Sequence, residues 1–179
     1  MNHLPNRRTV RLPGYDYSSG GAYFVTNCTL RRAHLFGEVV DGEMRLNAAG
    51  DIVCAAWDRT IALRREFVPH GFIVMPNHVH ALFSLDPDAR PDRRESPDAP
   101  HGLITGIPRR RPHSVATIMG GLKGDVTRTI RKLTGEPGAE YWQERFHKHI
   151  VRNGQEFETI ARHIETNPAN WPKDRYATE

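Results

Sequence analysis

Cysteine is nearly absent from this chain: Cys28 and Cys54 are the only two in 179 residues. They form no metal-type cluster, and two thiols suit a reduced cytoplasm better than a disulfide scaffold. No apolar run approaches the ~20 residues of a membrane span. The polar, basic opening from Met1 to Asp16 lacks the apolar core of a signal peptide. A cytoplasmic protein with no membrane partner is therefore expected. Charge imbalance is also small, with 25 Lys and Arg against 21 Asp and Glu for a net +4. That balance is compatible with nucleic acid without requiring it. Internal repeats are missing as well. What remains, 38% hydrophobic and 26% charged residues, fits one globular domain over 1–179 with a real core.

Local patterns predict the elements. Ala22 to Leu30 is aromatic and β-branched and reads as the first strand. Asp41-Gly42, between two short alternating runs, signals a hairpin over Leu35 to Leu46. A helix is expected over Ile52 to Arg64, then strands over Phe67 to Met75 and up to Leu85. From Asp86 to Pro112 the chain is rich in proline and arginine and has no hydrophobic period, so it reads as a flexible insert. Ser114 caps the longest helix, whose stripe Val115, Ile118, Met119, Leu122, Val126, Ile130 and Leu133 keeps helical spacing until Gly135 and Pro137. Gly120-Gly121 inside it predicts a kink or a close backbone approach. A last strand is expected near Arg145 to Val151. The final helix is capped by Asn153 with Glu156 three residues on, and ends near Asn167 before Pro168. An antiparallel sheet with helices packed on it, an α+β fold, follows from this order.

Two histidines flank one apolar residue in Met75-Pro76-Asn77-His78-Val79-His80. Side chains at i and i+2 share a strand face, so His78 and His80 project together. Two imidazoles on a rigid strand can hold a divalent metal if a third ligand joins them. As exposed strand residues they would contribute little to the core. On the long helix, Lys123, Thr127 and Arg131 share a face at i, i+4 and i+8, with Arg128 and Lys132 beside them. Such a face can follow a DNA backbone by displacing its counterions. Arg109-Arg110-Arg111 in the insert and Arg152 near the last helix are further candidates for phosphate contact. In the last helix His163 and Asn167 are four apart and share a face.

Met-Pro-Asn-His-Val-His resembles the HUH motif of single-tyrosine DNA transposases, most of all the REP-associated tyrosine transposases and their insertion-sequence relatives. Other stretches follow in order: Leu12-Pro13-Gly14-Tyr15-Asp16-Tyr17, a Phe36-Gly37-Glu38 hairpin, Trp142-Gln143, and Asn167-Pro168-Ala169-Asn170-Trp171. Phe146 stands where the family often has tyrosine, and Lys148 where it often has an acid. The resemblance implies a ferredoxin-like HUH domain, Mg²⁺ or Mn²⁺ as cofactor, and single-stranded or hairpin DNA as partner, with monomers or homodimers. It implies that His78, His80 and Asn167 are the metal ligands. It also implies a tyrosine nucleophile four residues before Asn167, where this chain has His163. Tyr176 or Tyr141 could substitute, or histidine could itself attack phosphorus. Three functions are therefore open. The first is metal-dependent DNA cleavage and strand transfer in DNA transposition. The second is a domesticated or catalytically impaired DNA-binding protein. The third is a metal-binding protein unrelated to nucleic acid.

Overall fold

In a computed structural model, residues 21–86, 89 and 114–177 are described. Ala22–Cys28 forms β1, Gly37–Val40 β2, Glu43–Leu46 β3, Phe67–Met75 β4, His78–Leu85 β5 and His147–Val151 β6. The helices are α1, Ala48–Leu63, α2, Val115–Thr134, and α3, Gly154–Thr166. Four strands make one antiparallel sheet in the order β4-β5-β1-β6, while β2 and β3 pair separately. With α1 joining β1 to β4 and α2 joining β5 to β6, this is the ferredoxin-like order. The expected α+β architecture is what the chain adopts.

Alternation along β5 divides the molecule into two cores. Val79, Ala81 and Phe83 face α1 and α2 and join Val53, Trp57, Ile118, Leu122 and Val126. Trp57 stacks on Phe72 with ring centroids 4.3 Å apart, which seats α1. Leu82 faces the other way and joins Phe157, Ala161 and Ile164 of α3. Burying a side chain such as Phe157 or Ile164 stabilises by roughly 1.5–3 kcal/mol, so this stripe fixes α3 across the sheet. Gly71, beside a bulge in β4, lets Ile164 come close: a Cβ there would lie 3.3 Å from its Cδ1.

Local signals explain the element ends. Asp41 and Gly42 both take positive φ, 52° and 76°, as a two-residue hairpin turn between twisted strands demands. The Asn47 side chain accepts from Ala49 N and Gly50 N, so α1 begins at Ala48, four residues before the expected start. Gly50 is no breaker here, since a Cβ would sit 2.4 Å from the Phe36 carbonyl. Ser114 caps α2 and Gly135 ends it at φ 73°. α2 runs on through Gly120-Gly121 as one helix, and a Cβ on Gly121 would meet the Arg64 guanidinium at 3.8 Å, so Gly121 makes no close backbone approach. Asn153 caps α3 by accepting from Glu156 N at 2.9 Å, but the Glu156 carboxylate answers to Arg152 N instead of the cap's own N–H. Trp142 and Phe146 pack on the α1/α2 core.

Candidate metal centre

The α3 side of β5 carries His78 and His80, and both are fully buried. This corrects the expectation of exposed strand histidines. A third layer covers them: the Tyr176 ring lies 4.7 Å from His78, the Trp171 ring 5.9 Å from it, and the Phe24 ring 5.0 Å from His80, centroid to centroid.

Hydrogen bonds decide which nitrogen of His78 is available. Asn77 Nδ2 donates to the Tyr176 carbonyl at 2.7 Å, so Asn77 Oδ1 faces His78 Nδ1 at 2.9 Å. Only an N–H can meet that acceptor, which leaves the lone pair on Nε2. His80 Nδ1 lies 2.9 Å from the Thr26 hydroxyl, which can donate or accept. The two Nε2 atoms approach to 3.1 Å. Two nitrogens bound at about 2.1 Å to one ion, 90–110° apart, would be separated by about 3.0–3.4 Å.

A carboxylate completes the group. The ligand atoms of His78, His80 and Asp174 all lie within 4.8 Å of one another. Asp174 accepts from Asn167 Nδ2 at 2.7 Å and from its own segment's Tyr176 N at 2.8 Å. Because Asn167 spends its NH₂ on Asp174, its Oδ1 points elsewhere, buried and without a hydrogen-bond partner. Two imidazoles and a carboxylate whose ligand atoms converge are a donor set for a divalent ion. His78, His80 and Asp174 could hold a divalent metal ion.

Burial keeps the imidazoles neutral. It lowers His78 to about 4 against the pull of Asp174, and it lowers His80 well below its ordinary value, helped by His78 and His163. His163 is also lowered, first by burial. In metal-free protein the unfolded chain therefore takes up protons first as pH falls. The histidines leave stability unaffected above about pH 6.5 and remove it as pH falls, His78 over the window from 6.5 to 4 and His80 with it. His78 alone should remove about 3 kcal/mol across that window. Urea unfolding at pH 7 and pH 4 with chelator present measures this, and an equal midpoint at both would count against neutral buried imidazoles.

No family model matches the chain. An uncharacterized protein of Haemophilus influenzae is 28% identical over 174 residues, covering 96% of this chain and 93% of that one. The solved structure of a REP-associated tyrosine transposase, bound to a REP hairpin, is similar with a TM-score of 0.54 and 18% identity over 90% of this chain and 74% of its own. The fold is that of a REP-associated tyrosine transposase. On this transposase fold the predicted site residues separate into those near the histidines and those apart.

His163, on α3, is exposed, with its ring 5.1 Å from His80 and its Nε2 3.4 Å from Asn167 Nδ2. Tyr176 lies against both site histidines, whereas Tyr141 packs on the α1/α2 side of the sheet. A groove of about 790 Å³ beside α2 is lined by Lys123, Thr127, Arg128, Arg131 and Lys132. Lys123 Nζ donates to the Gln143 carbonyl at 2.6 Å and Arg131 Nε to the Ala139 carbonyl at 2.8 Å, so both anchor the strand-leading loop. Arg152 lines a second groove, of about 670 Å³, between β6 and α3, which reaches Phe24. Arg109, Arg110 and Arg111 lie outside the described residues.

Three contributors were not anticipated: Asp174, Thr26 and Arg32. Arg31 and Arg32 sit in consecutive left-handed conformations, φ 53° and 55°, each of which costs on the order of 1–3 kcal/mol. The strained turn delivers the Arg32 guanidinium to the Arg175 carbonyl at 3.0 Å, next to the metal group.

Proposed function

We propose that this chain binds single-stranded or hairpin DNA and, with a divalent metal, cuts and rejoins it as the transposases it resembles do. One observation supports the reading: on a fold shared with a transposase, two neutral imidazoles present Nε2 atoms 3.1 Å apart beside Asp174. A bound Mg²⁺ or Mn²⁺ would polarise a phosphodiester oxygen. The protein's own part is positional. Asn77 and Thr26 hold the two rings, Asn167 and Asp174 hold each other, and the aromatic layer of Phe24, Trp171 and Tyr176 keeps water from the nitrogens. Cleavage would leave a 5′-phosphate on the protein and release a 3′-hydroxyl, and attack by another 3′-hydroxyl would complete transfer. Incubation with end-labelled hairpin DNA and Mn²⁺ tests this. Cleavage that EDTA stops is the expected result, and intact DNA on saturated protein would sink it.

A second reading, a hairpin-binding protein that does not cut, is favoured by His163 at the position where the resemblance calls for tyrosine. Both readings need a cationic track. Arg128, 66% exposed, shares only a 3.3 Å contact with Asp125, and Lys132 lines the same groove. Replacing both with alanine should flatten the dependence of log affinity on log salt by roughly one to two units. An unchanged slope would move the DNA to another surface, with the Arg152 groove next in line.

A further inference from the structure

If the cleavage reading holds, on which this inference rests, some nucleophile must attack the phosphodiester, and position 163 supplies no phenol. Among the described tyrosines, Tyr23 and Tyr141 pack on the α1/α2 core. Tyr176 alone lies on the metal side, with its ring 4.7 Å from His78 and 6.0 Å from His80.

Its placement is built, not incidental. The Tyr176 N–H is held by Asp174 at 2.8 Å and its carbonyl by Asn77 Nδ2 at 2.7 Å. The other atom of the same Asn77 amide orients His78. One side chain therefore holds both the His78 ring and the backbone that carries the phenol beside it. The preceding carbonyl, of Arg175, is tied to Arg32 across 143 residues of sequence. The phenol oxygen accepts from Arg175 NH2 at 2.6 Å, and the guanidinium carbons of Arg175 and Arg32 lie 4.7 and 5.4 Å from the ring centre. A packing tyrosine needs a partner for its hydroxyl. The Arg175 guanidinium at the oxygen, with a second guanidinium near the ring, makes a cationic setting that suits a DNA phosphate and a phenol oxygen gaining negative charge.

We propose that Tyr176 is the nucleophile of this chain, attacking a single-stranded DNA phosphodiester from the loop after α3 instead of from the helix. The phenol oxygen bonds to phosphorus while the bond from phosphorus to the 3′-oxygen breaks. The phenol's proton ends on that departing oxygen, which leaves as a free hydroxyl. The 5′-phosphate stays on Tyr176, and the reverse reaction with a new 3′-hydroxyl restores the phenol. No oxidant, reductant or nucleotide is consumed.

The test uses the full chain with end-labelled hairpin DNA and Mn²⁺, reading DNA binding, strand cleavage and the peptide that carries the DNA. Tyr176→Phe keeps the ring that packs on His78, so binding should stay within about twofold while cleavage and adduct fall by at least about 100-fold. In the native protein the nucleotide-bearing peptide should contain Tyr176, through an acid-stable bond. An adduct on Tyr141, or an acid-labile one on His163, would overturn the assignment and leave the cleavage reading standing, as would full cleavage by Tyr176→Phe. Native protein that binds the hairpin and leaves it whole would overturn the cleavage reading and this nucleophile together.

Discussion

Replacing His78 with asparagine should lower the affinity for Mn²⁺ by on the order of 100-fold or more and leave the protein folded. Supporting residues around metal ligands are each worth about 10–100-fold, so losing a ligand should exceed that. Asparagine is the right replacement because its amide NH₂ can take the place of Nδ1–H and still donate to Asn77 Oδ1, while nothing replaces Nε2. Alanine would confuse the measurement. His78 is fully buried, so truncation would open a cavity, leave the Asn77 Oδ1 without its His78 partner and destabilise by about 1–3 kcal/mol. Calorimetric titration of Mn²⁺ into both proteins, with circular dichroism as the check on folding, gives the answer. Equal affinities would remove His78 from the site.

Asp174→Asn should weaken Mn²⁺ binding by roughly 10–100-fold, set by the loss of a charged ligand from a two-histidine, one-carboxylate group. It should also loosen the chain's last described segment. The carboxylate accepts at both oxygens, from Asn167 and from Tyr176 N. An amide has one acceptor, so one of those bonds is lost, at about 1 kcal/mol. Faster hydrogen exchange at Tyr176 and Ala177 reads the second effect. Asn167→Ala is the companion variant. If it abolishes metal binding and Asp174→Asn does not, the third ligand is the amide that the family resemblance implies, and Asp174 merely orients it.

That division follows what the sequence can express. A strand repeats every two residues, so His78 and His80 on one face are legible from spacing alone. Asp41-Gly42 and the Ser114 and Asn153 caps are legible for the same reason: their partners are within a few residues. The i, i+4 pairing of His163 with Asn167 holds while the helix lasts, which is as far as Thr166. Asp174 lies past Pro168 and a short turn over Trp171–Lys173, and no period carries across that break. The burial of the two histidines was hidden in the same way, since the covering rings of Trp171 and Tyr176 come from that folded-back tail and Phe24 from a neighbouring strand. On α2, spacing found the cationic face but not its use. Lys123 and Arg131 reach loop carbonyls 20 and 8 residues away. Gly50 depends on a partner of the same kind, because the need for glycine comes from the Phe36 carbonyl just before β2.

The Thr26 hydroxyl beside His80 gives the site a thermochemical signature. Without an ion, His78 Nε2 has only a lone pair, so His80 must turn an N–H toward it across 3.1 Å and accept from Thr26 on its other nitrogen. With an ion, His80 carries its hydrogen on Nδ1 instead and donates to the same hydroxyl. The ring need not move, and it gains and loses one hydrogen. Near neutral pH neither imidazole has a proton to give up, so the heat of Mn²⁺ uptake should be the same in phosphate and in Tris, two buffers whose ionisation heats differ widely. Thr26→Val would leave His80 Nδ1 without a partner in both hydrogen arrangements.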